Sequence, residues 1–479
     1  MTDSSALLAN TMAVSDTVLY KLKPSAARSR SYRASIAPIN ASTFAPSTNA
    51  IFSIPCGRKN TYIDINQSYF KFSVRNNDVS GNSFYIDNNA SCFINRIDTF
   101  FGGNLLESLQ QYNVLYTYLM DFQTNPSHKV GLANIYGMSP SSDTPSTSRQ
   151  GQPIFGGQTS TFCMPLLNSL IGIGADKSFP CGFCSSDLRI EISFESQNTA
   201  VVYNTLTPSG SWTVIFAELE LCYIELQDEA QHMVDSITPH GNVFLHGNSW
   251  RHYVSNLPSG STGVYSTLVP ARMASIKSMV LLPRRASEVT SATSYSLSSR
   301  LNPCITSFWY RIGSVLCPAR PIALSNNQNS YGYSEAFMEL QKSFHALVSP
   351  EYTGSCTYSN YNVCDNTVDI GVGGLGVGGG VLGASITSIS YRNAFALALE
   401  TESFSGKSNV LLSGLNTLNS NIFFEANIGY ASCTTLTGNG NPNVFVNGVT
   451  GPTASFTLDF YANFDIIYAI QDGVITARF

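Results

Sequence analysis

The chain has 479 residues, too many for one ordinary β domain, and 43% of them are hydrophobic and 11% aromatic, which excludes wholesale disorder. Charged residues are 12%, against about 25% in an average globular protein. The net charge of −5 excludes a polycation that coats nucleic acid indiscriminately. Ser, Thr, Asn and Gly stand where Lys and Glu are usual, which suits strands and turns more than exposed helices. Such a surface also loses less rotamer entropy when a neighbour covers it.

The opening MTDSSALLANTMAVSD lacks a basic start followed by an apolar core, so no secretion signal is expected. Residues 1–45 are rich in Ser, Ala and Thr, hold Pro24 and Pro38, and read as an extended N-terminal arm. Residues 1–50 carry Lys21, Lys23, Arg28, Arg30 and Arg33 against Asp3 and Asp16, a balance of +3 that leaves −8 for the rest. Tyr20 and Tyr32 could stack there. The arm is therefore the candidate contact for nucleic acid or for the acidic underside of a neighbour, the alternative being a solvated tether.

From Ile51 onward the pattern has period two. Phe70, Phe72 and Val74 alternate with Lys71, Ser73 and Arg75; Leu188, Ile190, Ile192 and Phe194 alternate with Arg189, Glu191, Ser193 and Glu195. Phe456, Leu458 and Phe460 do the same near the end. Each predicts a strand with one buried and one wet face, as in an antiparallel sandwich. Asn76-Asn77-Asp78, Pro258-Ser259-Gly260 and Gly438-Asn439-Gly440 read as turns. Two helices are expected. One covers about Asn104 to Phe122; the other runs from an N-cap at Ser334 to Leu347 before Pro350. No stretch of 18 apolar residues exists to span a membrane.

An internal echo organises the chain. Ile51-Phe52-Ser53 recurs as Val264-Tyr265-Ser266, offset by 213 residues, and Cys92-Phe93-Ile94 as Cys304-Ile305-Thr306, offset by 212. The predicted helices are offset by about 225, and Cys222-Tyr223-Ile224 returns as Ile467-Tyr468-Ala469, offset by 245. Collinear order with a growing offset implies two like β units, the second carrying insertions. The expected domains are residues 46–232 and 233–479, joined by a linker around 229–242 that contains Pro239.

Chemistry-bearing motifs are sparse. Gly371, Gly373 and Gly376 spell G-x-G-x-x-G, but without the strand and helix that a dinucleotide site needs. Cys181 and Cys184 form a CxxC with Cys163 nearby and no second pair, which favours ordinary thiols. The eleven cysteines mostly sit in apolar runs and read as reduced core residues. His232, His240, His246 and His252 are loosely grouped without metal-ligand spacing. Neither a nucleophile elbow, a phosphate loop nor a carboxylate pair stands out, so no catalytic, cofactor or metal residue is nominated. Of the tryptophans, Trp212 and Trp309 sit in apolar runs expected to be core, leaving Trp250.

The stretches SIPCGRKNTYIDINQSYFKFSV (Ser53 to Val74) and SCFINRIDTFFGGNLLESLQQYNVLYTYLMD (Ser91 to Asp121) resemble the double jelly-roll major capsid proteins of small eukaryotic DNA viruses. That is the hexon-like lineage of adenoviruses, virophages, polintons and adintoviruses. MVLLPRRAS, FWYRIGSVLCPARPI, YSEAFMELQKSFHAL and the terminal FYANFDIIYAIQDGVITARF are similar to the same group. The resemblance implies two tandem eight-stranded antiparallel jelly rolls, each with a short helix inserted. It implies a non-enzymatic virion subunit, made inside the host cell, that forms pseudo-hexameric homotrimers tiling an icosahedral capsid. Neighbouring capsomers, penton and minor capsid proteins would be its partners, with weak contact of the arm to packaged nucleic acid. The rival class is a β-sandwich carbohydrate-binding or carbohydrate-active protein, which would need aromatic platforms or paired carboxylates.

Overall fold

The computed structural model describes residues 27–124, 131–138, 150–203, 210–238, 242–292, 294–324, 333–343, 356, 361, 393–403, 411–429, 433–435, 444–446, 452 and 454–479. Eight strands form the two main sheets of the first half: β1 (Ser29–Ile36), β2 (Asn49–Ile54), β3 (Thr61–Asn76), β4 (Ile94–Phe101), β5 (Asn104–Gln110), β6 (Thr159–Met164), β7 (Leu188–Phe194) and β8 (Trp212–Leu226), with further short strands such as Phe84–Asp87 beside them. Eight matching strands form the main sheets of the second: β9 (Val243–Leu257), β10 (Gly263–Val269), β11 (Ile276–Arg285), β12 (Ile305–Ile312), β13 (Val315–Ala323), β14 (Leu397–Glu400), β15 (Ile422–Ile428) and β16 (Phe456–Gln471). A last strand, β17 (Val474–Arg478), folds back on β16.

The sheets of the first half run β1-β8-β3-β6 and β2-β7-β4-β5; those of the second run β9-β16-β11-β14 and β10-β15-β12-β13. Each strand thus has its counterpart eight numbers on, in the same neighbourhood. This is jelly-roll order, twice. The alternation explains the packing: Leu188, Ile190, Ile192 and Phe194 of β7 are buried while Arg189 is exposed. Between the sheets of the first roll Phe70 stacks on Phe72 at 4.9 Å, and Phe93 meets Trp212 edge-on at 5.0 Å. In the second roll Phe424 packs on Tyr310 at 5.4 Å and on Phe460 at 5.3 Å.

Helix α1 (Tyr112–Gln123) follows β5, α2 (Asp228–Ile237) joins the rolls, and α3 (Ser334–Lys342) follows β13. The helix expected from Asn104 starts eight residues later. Gly102 and Gly103, both at positive φ, reverse the chain so that Asn104 pairs with Phe101 and residues 104–110 join the sheet as β5. Gln111, at φ 48° and ψ 49°, then separates strand from helix. Of the expected linker, residues 229–237 lie in α2, which has Asp228 and Glu229 in its first turn and no buried residue, and residues 239–241 with Pro239 lie outside the described residues. Inside the stretch expected to be an arm, residues 29–36 form β1, the edge strand beside β8. Of the second predicted helix, Ser334–Lys342 is helical, and residues 344–347 lie outside the described residues.

Candidate assembly surfaces

The two rolls meet front to back. The front of the first, formed by β5, α1 and the loop at 165–175, closes on β9 and β16 of the second. Residue 175 bridges to Gly247 of β9, the Asn248 amide donates to the Gly174 carbonyl at 2.7 Å, and Ser169 and Tyr468 share a hydroxyl hydrogen bond at 2.6 Å. A Cβ on Gly247 would lie 2.5 Å from the Ser169 carbonyl oxygen, so only glycine lets the backbones approach this closely.

Buried polar groups fix the register of this junction. Asp87 accepts from the Ser296 and Leu297 amides at 2.7 and 2.8 Å and from the Ser298 hydroxyl at 2.6 Å. Asp121 of α1 pairs with Arg300 at 2.6 Å, and Glu107 of β5 accepts from the Ser249 hydroxyl. The Tyr461 hydroxyl donates to the Gln111 carbonyl at 2.9 Å. Burial pushes the carboxyls of Asp87 and Glu107 above the usual range, although their donors act against it. Burial would also raise Asp459, but Arg284 at 2.8 Å and His252 outweigh it and hold this carboxyl below the usual range.

The outward faces of the two β2-type sheets carry one constellation twice. On the first roll, Arg189 of β7 lies over Phe100 of β4 at 4.5 Å and pairs with Glu191 at 3.2 Å. On the second, Arg311 of β12 lies over Phe423 of β15 at 4.4 Å and pairs with Glu425 at 2.8 Å. The matched strands have exchanged Arg and Phe while keeping the Glu. Trp309, expected in the core, lies half-buried on this outward face and donates from Nε1 to Glu425 at 2.7 Å. Trp212 is fully buried as expected.

Residues with reactive chemistry are placed as follows. Cys181 and Cys184 come together with Cys56 from the β2–β3 loop, not with Cys163. Hydrogen bonds from the thiols of Cys181 and Cys184 hold Cys56 down at about 4 against burial, and both donors are raised in turn. Nine of the cysteines are free thiols. The histidines do not assemble: His246 bonds Asp465 at 3.0 Å and His252 bonds Asp459 at 2.8 Å. His232 lines a cleft of about 330 Å3 with Lys59, Tyr62, Asp228 and Asp235, and His240 lies outside the described residues. Among the described residues no group of three or more His, Cys, Asp or Glu is arranged to hold a metal ion. Gly371, Gly373 and Gly376 also lie outside the described residues.

Of the arm's cations, Lys21 and Lys23 lie outside the described residues. Arg28 and Arg30 are exposed, Arg30 over the Tyr32 ring at 5.7 Å. Arg33 is drawn onto the sheet, 3.4 Å from Glu220 and 3.1 Å from the Tyr69 hydroxyl. No helix among the described residues is long and apolar enough to cross a membrane.

Two eight-stranded jelly rolls in tandem, packed front to back, define the double jelly-roll fold. Solved structures share it along nearly the whole chain. VP54 of the virus PBCV-1, fitted into a reconstruction of the virophage Sputnik, superposes with a TM-score of 0.60 at 10% identity, covering 96% of this chain and 99% of its own. The Faustovirus major capsid protein gives 0.55 at 8% identity, covering 96% and 93%. The mavirus major capsid protein gives 0.52 at 8% identity, covering 97% and 93%. No family model matches the sequence, and no curated protein matches it.

Proposed function

We propose that this chain is a major capsid protein: a structural, non-enzymatic subunit whose homotrimers present six jelly rolls and tile an icosahedral virion. The observation that carries the reading is the full-length double roll, shared with viral capsid subunits over 96% and 97% of the chain. The outward Arg–Phe–Glu constellations support it, because Arg and aromatic side chains dominate the energetics of protein contacts and here recur on both rolls. They suit the smaller, wetter contacts between neighbouring capsomers and with penton and minor capsid proteins. In this reading the second roll domain is residues 233–479, and the first ends at 232 but takes in β1 (Ser29–Ile36), so the arm is the stretch before Ser29. Lys21, Lys23 and Arg28, with Arg30 at the start of β1, are the contacts for packaged nucleic acid, Arg33 being held by Glu220. Sedimentation of the purified full chain tests the function. A particle of three times 51.9 kDa supports it. A monomer at every concentration overturns it. For the arm, DNA retention that weakens steeply with salt and is lost on neutralising those four residues is the supporting result.

A further inference from the structure

We propose that Cys56 and Cys181 form a thiol–disulfide exchange site. Cys56 attacks a low-molecular-weight disulfide, and Cys181 resolves the product into a bridge across one end of the first roll. The backbone brings the two residues together. Tyr62 and Ile63 of β3 pair with Pro180 and Phe179, which sets Cys181 at the end of a short strand beside the β2–β3 loop. The Gly57 amide donates to the Cys181 carbonyl at 2.9 Å, and the Cys184 amide donates to the same carbonyl at 3.3 Å. One turn thus gathers three thiols. The packing is close: a Cβ on Gly182 would lie 3.0 Å from the Arg58 carbonyl oxygen. Asp187 anchors the loop, accepting from the Ser53 hydroxyl at 3.1 Å and the Cys56 amide at 3.2 Å.

The three thiols differ in access and in charge. Cys56 is half-buried and leads into the exposed residues Gly57, Arg58 and Lys59, whereas Cys181 and Cys184 are buried. Hydrogen bonds from Cys181 and then Cys184 keep Cys56 a thiolate at neutral pH, the form that attacks a disulfide. An accessible thiolate beside a resolving thiol is the arrangement of redox-sensing cysteines. In the first step the Cys56 sulfur bonds to one sulfur of the small disulfide, whose own S–S bond breaks and expels a thiolate. Cys181 is held up first by its hydrogen bond to the Cys56 thiolate and then by burial, so capping Cys56 removes the larger restraint. Cys181 then loses its proton and attacks the Cys56 sulfur, expelling the second thiolate. Two protein thiols are oxidised to one S–S bond, the small disulfide is reduced to two thiols, and the chain's two protons end on them. The bridge lies beside a contact between the rolls, because Ser185 donates from its amide and hydroxyl to the Gly473 carbonyl at 2.9 and 2.8 Å. The timing rests on the capsid reading: the thiols stay reduced inside the host cell and meet oxidants once the particle leaves it.

Oxidation of the purified full-length chain with glutathione disulfide tests this, followed by chymotryptic digestion without reductant and mass spectrometry. Chymotrypsin cuts after Phe183, so Cys181 and Cys184 fall in different peptides. The expected product is a peptide pair joined through Cys56 and Cys181, with two of the eleven thiols lost and both regained on adding dithiothreitol. Cys163→Ser, at a thiol outside the trio, should leave the bridge unchanged. Cys56→Ser should form no bridge and keep its remaining thiols; if that variant does not fold, the peptide map of the wild-type chain decides alone. A bridge from Cys56 to Cys184, a bridge confined to Cys181 and Cys184, a Cys56 that stays capped by glutathione, or thiols that all remain free would each overturn the assignment. None of these outcomes touches the trimeric capsid reading, which sedimentation of the reduced chain decides.

Discussion

Replacing Asp121 with Ala should separate the rolls energetically. The carboxylate lies 2.6 Å from Arg300, and the two side chains are 2% and 0% exposed. Arg300 also donates to the Leu297 carbonyl at 3.1 Å, a neutral acceptor, so removal of the carboxylate leaves its charge buried without a counter-charge at that position. Breaking a buried pair in this way costs about 3–5 kcal/mol. For a cooperative unit the size of one roll that corresponds to a fall in melting temperature of roughly 6–20 °C. Calorimetry of the full chain measures it, and the loss should change little with added salt because the pair is buried. Asp121→Leu combined with Arg300→Met should recover most of the loss, since two apolar groups leave nothing unpaired. A single variant within about 1 kcal/mol of wild type, or a double variant no better than the single, would refute the junction as described.

Three further outcomes are expected. Gly247→Ala should destabilise the junction by about 1–3 kcal/mol in urea unfolding, since its Cβ would sit 2.5 Å from the Ser169 carbonyl, while Gly131→Ala, with open space around it, should be neutral. Glu107 is raised in the folded chain, so its contribution is present below the unfolded value near 4.5 and is lost as pH rises through the folded one. The stability of wild type relative to Glu107→Gln should therefore increase as pH is lowered from about 8 to 5, with the lowered Asp459 and Asp465 common to both proteins. Alkylation followed by peptide mass spectrometry at about pH 6 should modify Cys56 ahead of the other thiols, and Cys181→Ser with Cys184→Ser should slow it.

The strands were legible because burial on one face writes period two directly into the sequence, as at Leu188–Phe194 and Phe456–Phe460. The duplication was legible because the matched strands keep their order. The start of α1 was not: Leu105 and Leu109 fit a helical stripe, and only the two glycines before them announce a hairpin. Helix α2 carries Ala230, Met233, Val234 and Ile237 at helical spacing but buries none of them, and this single short stripe just before Pro239 reads as a break between the rolls. Trp309 looked like core because an outward tryptophan satisfied by Glu425 carries the same local pattern as a buried one. The thiol trio and the junction pairs Asp87–Ser298 and Asp121–Arg300 join residues more than a hundred positions apart, and strand register alone brings them together. A third cysteine at the mouth of β3 was the available signal for the first of these. The candidate arm cations could be found from charge alone, but not that Arg33 would be taken up by Glu220.

The most direct measurement is electron microscopy of the purified full-length protein in negative stain. Class averages down the threefold should show six lobes in a near-hexagonal outline, two from each chain. Averages of isolated two-lobed particles, or of rings with three lobes, would contradict the arrangement.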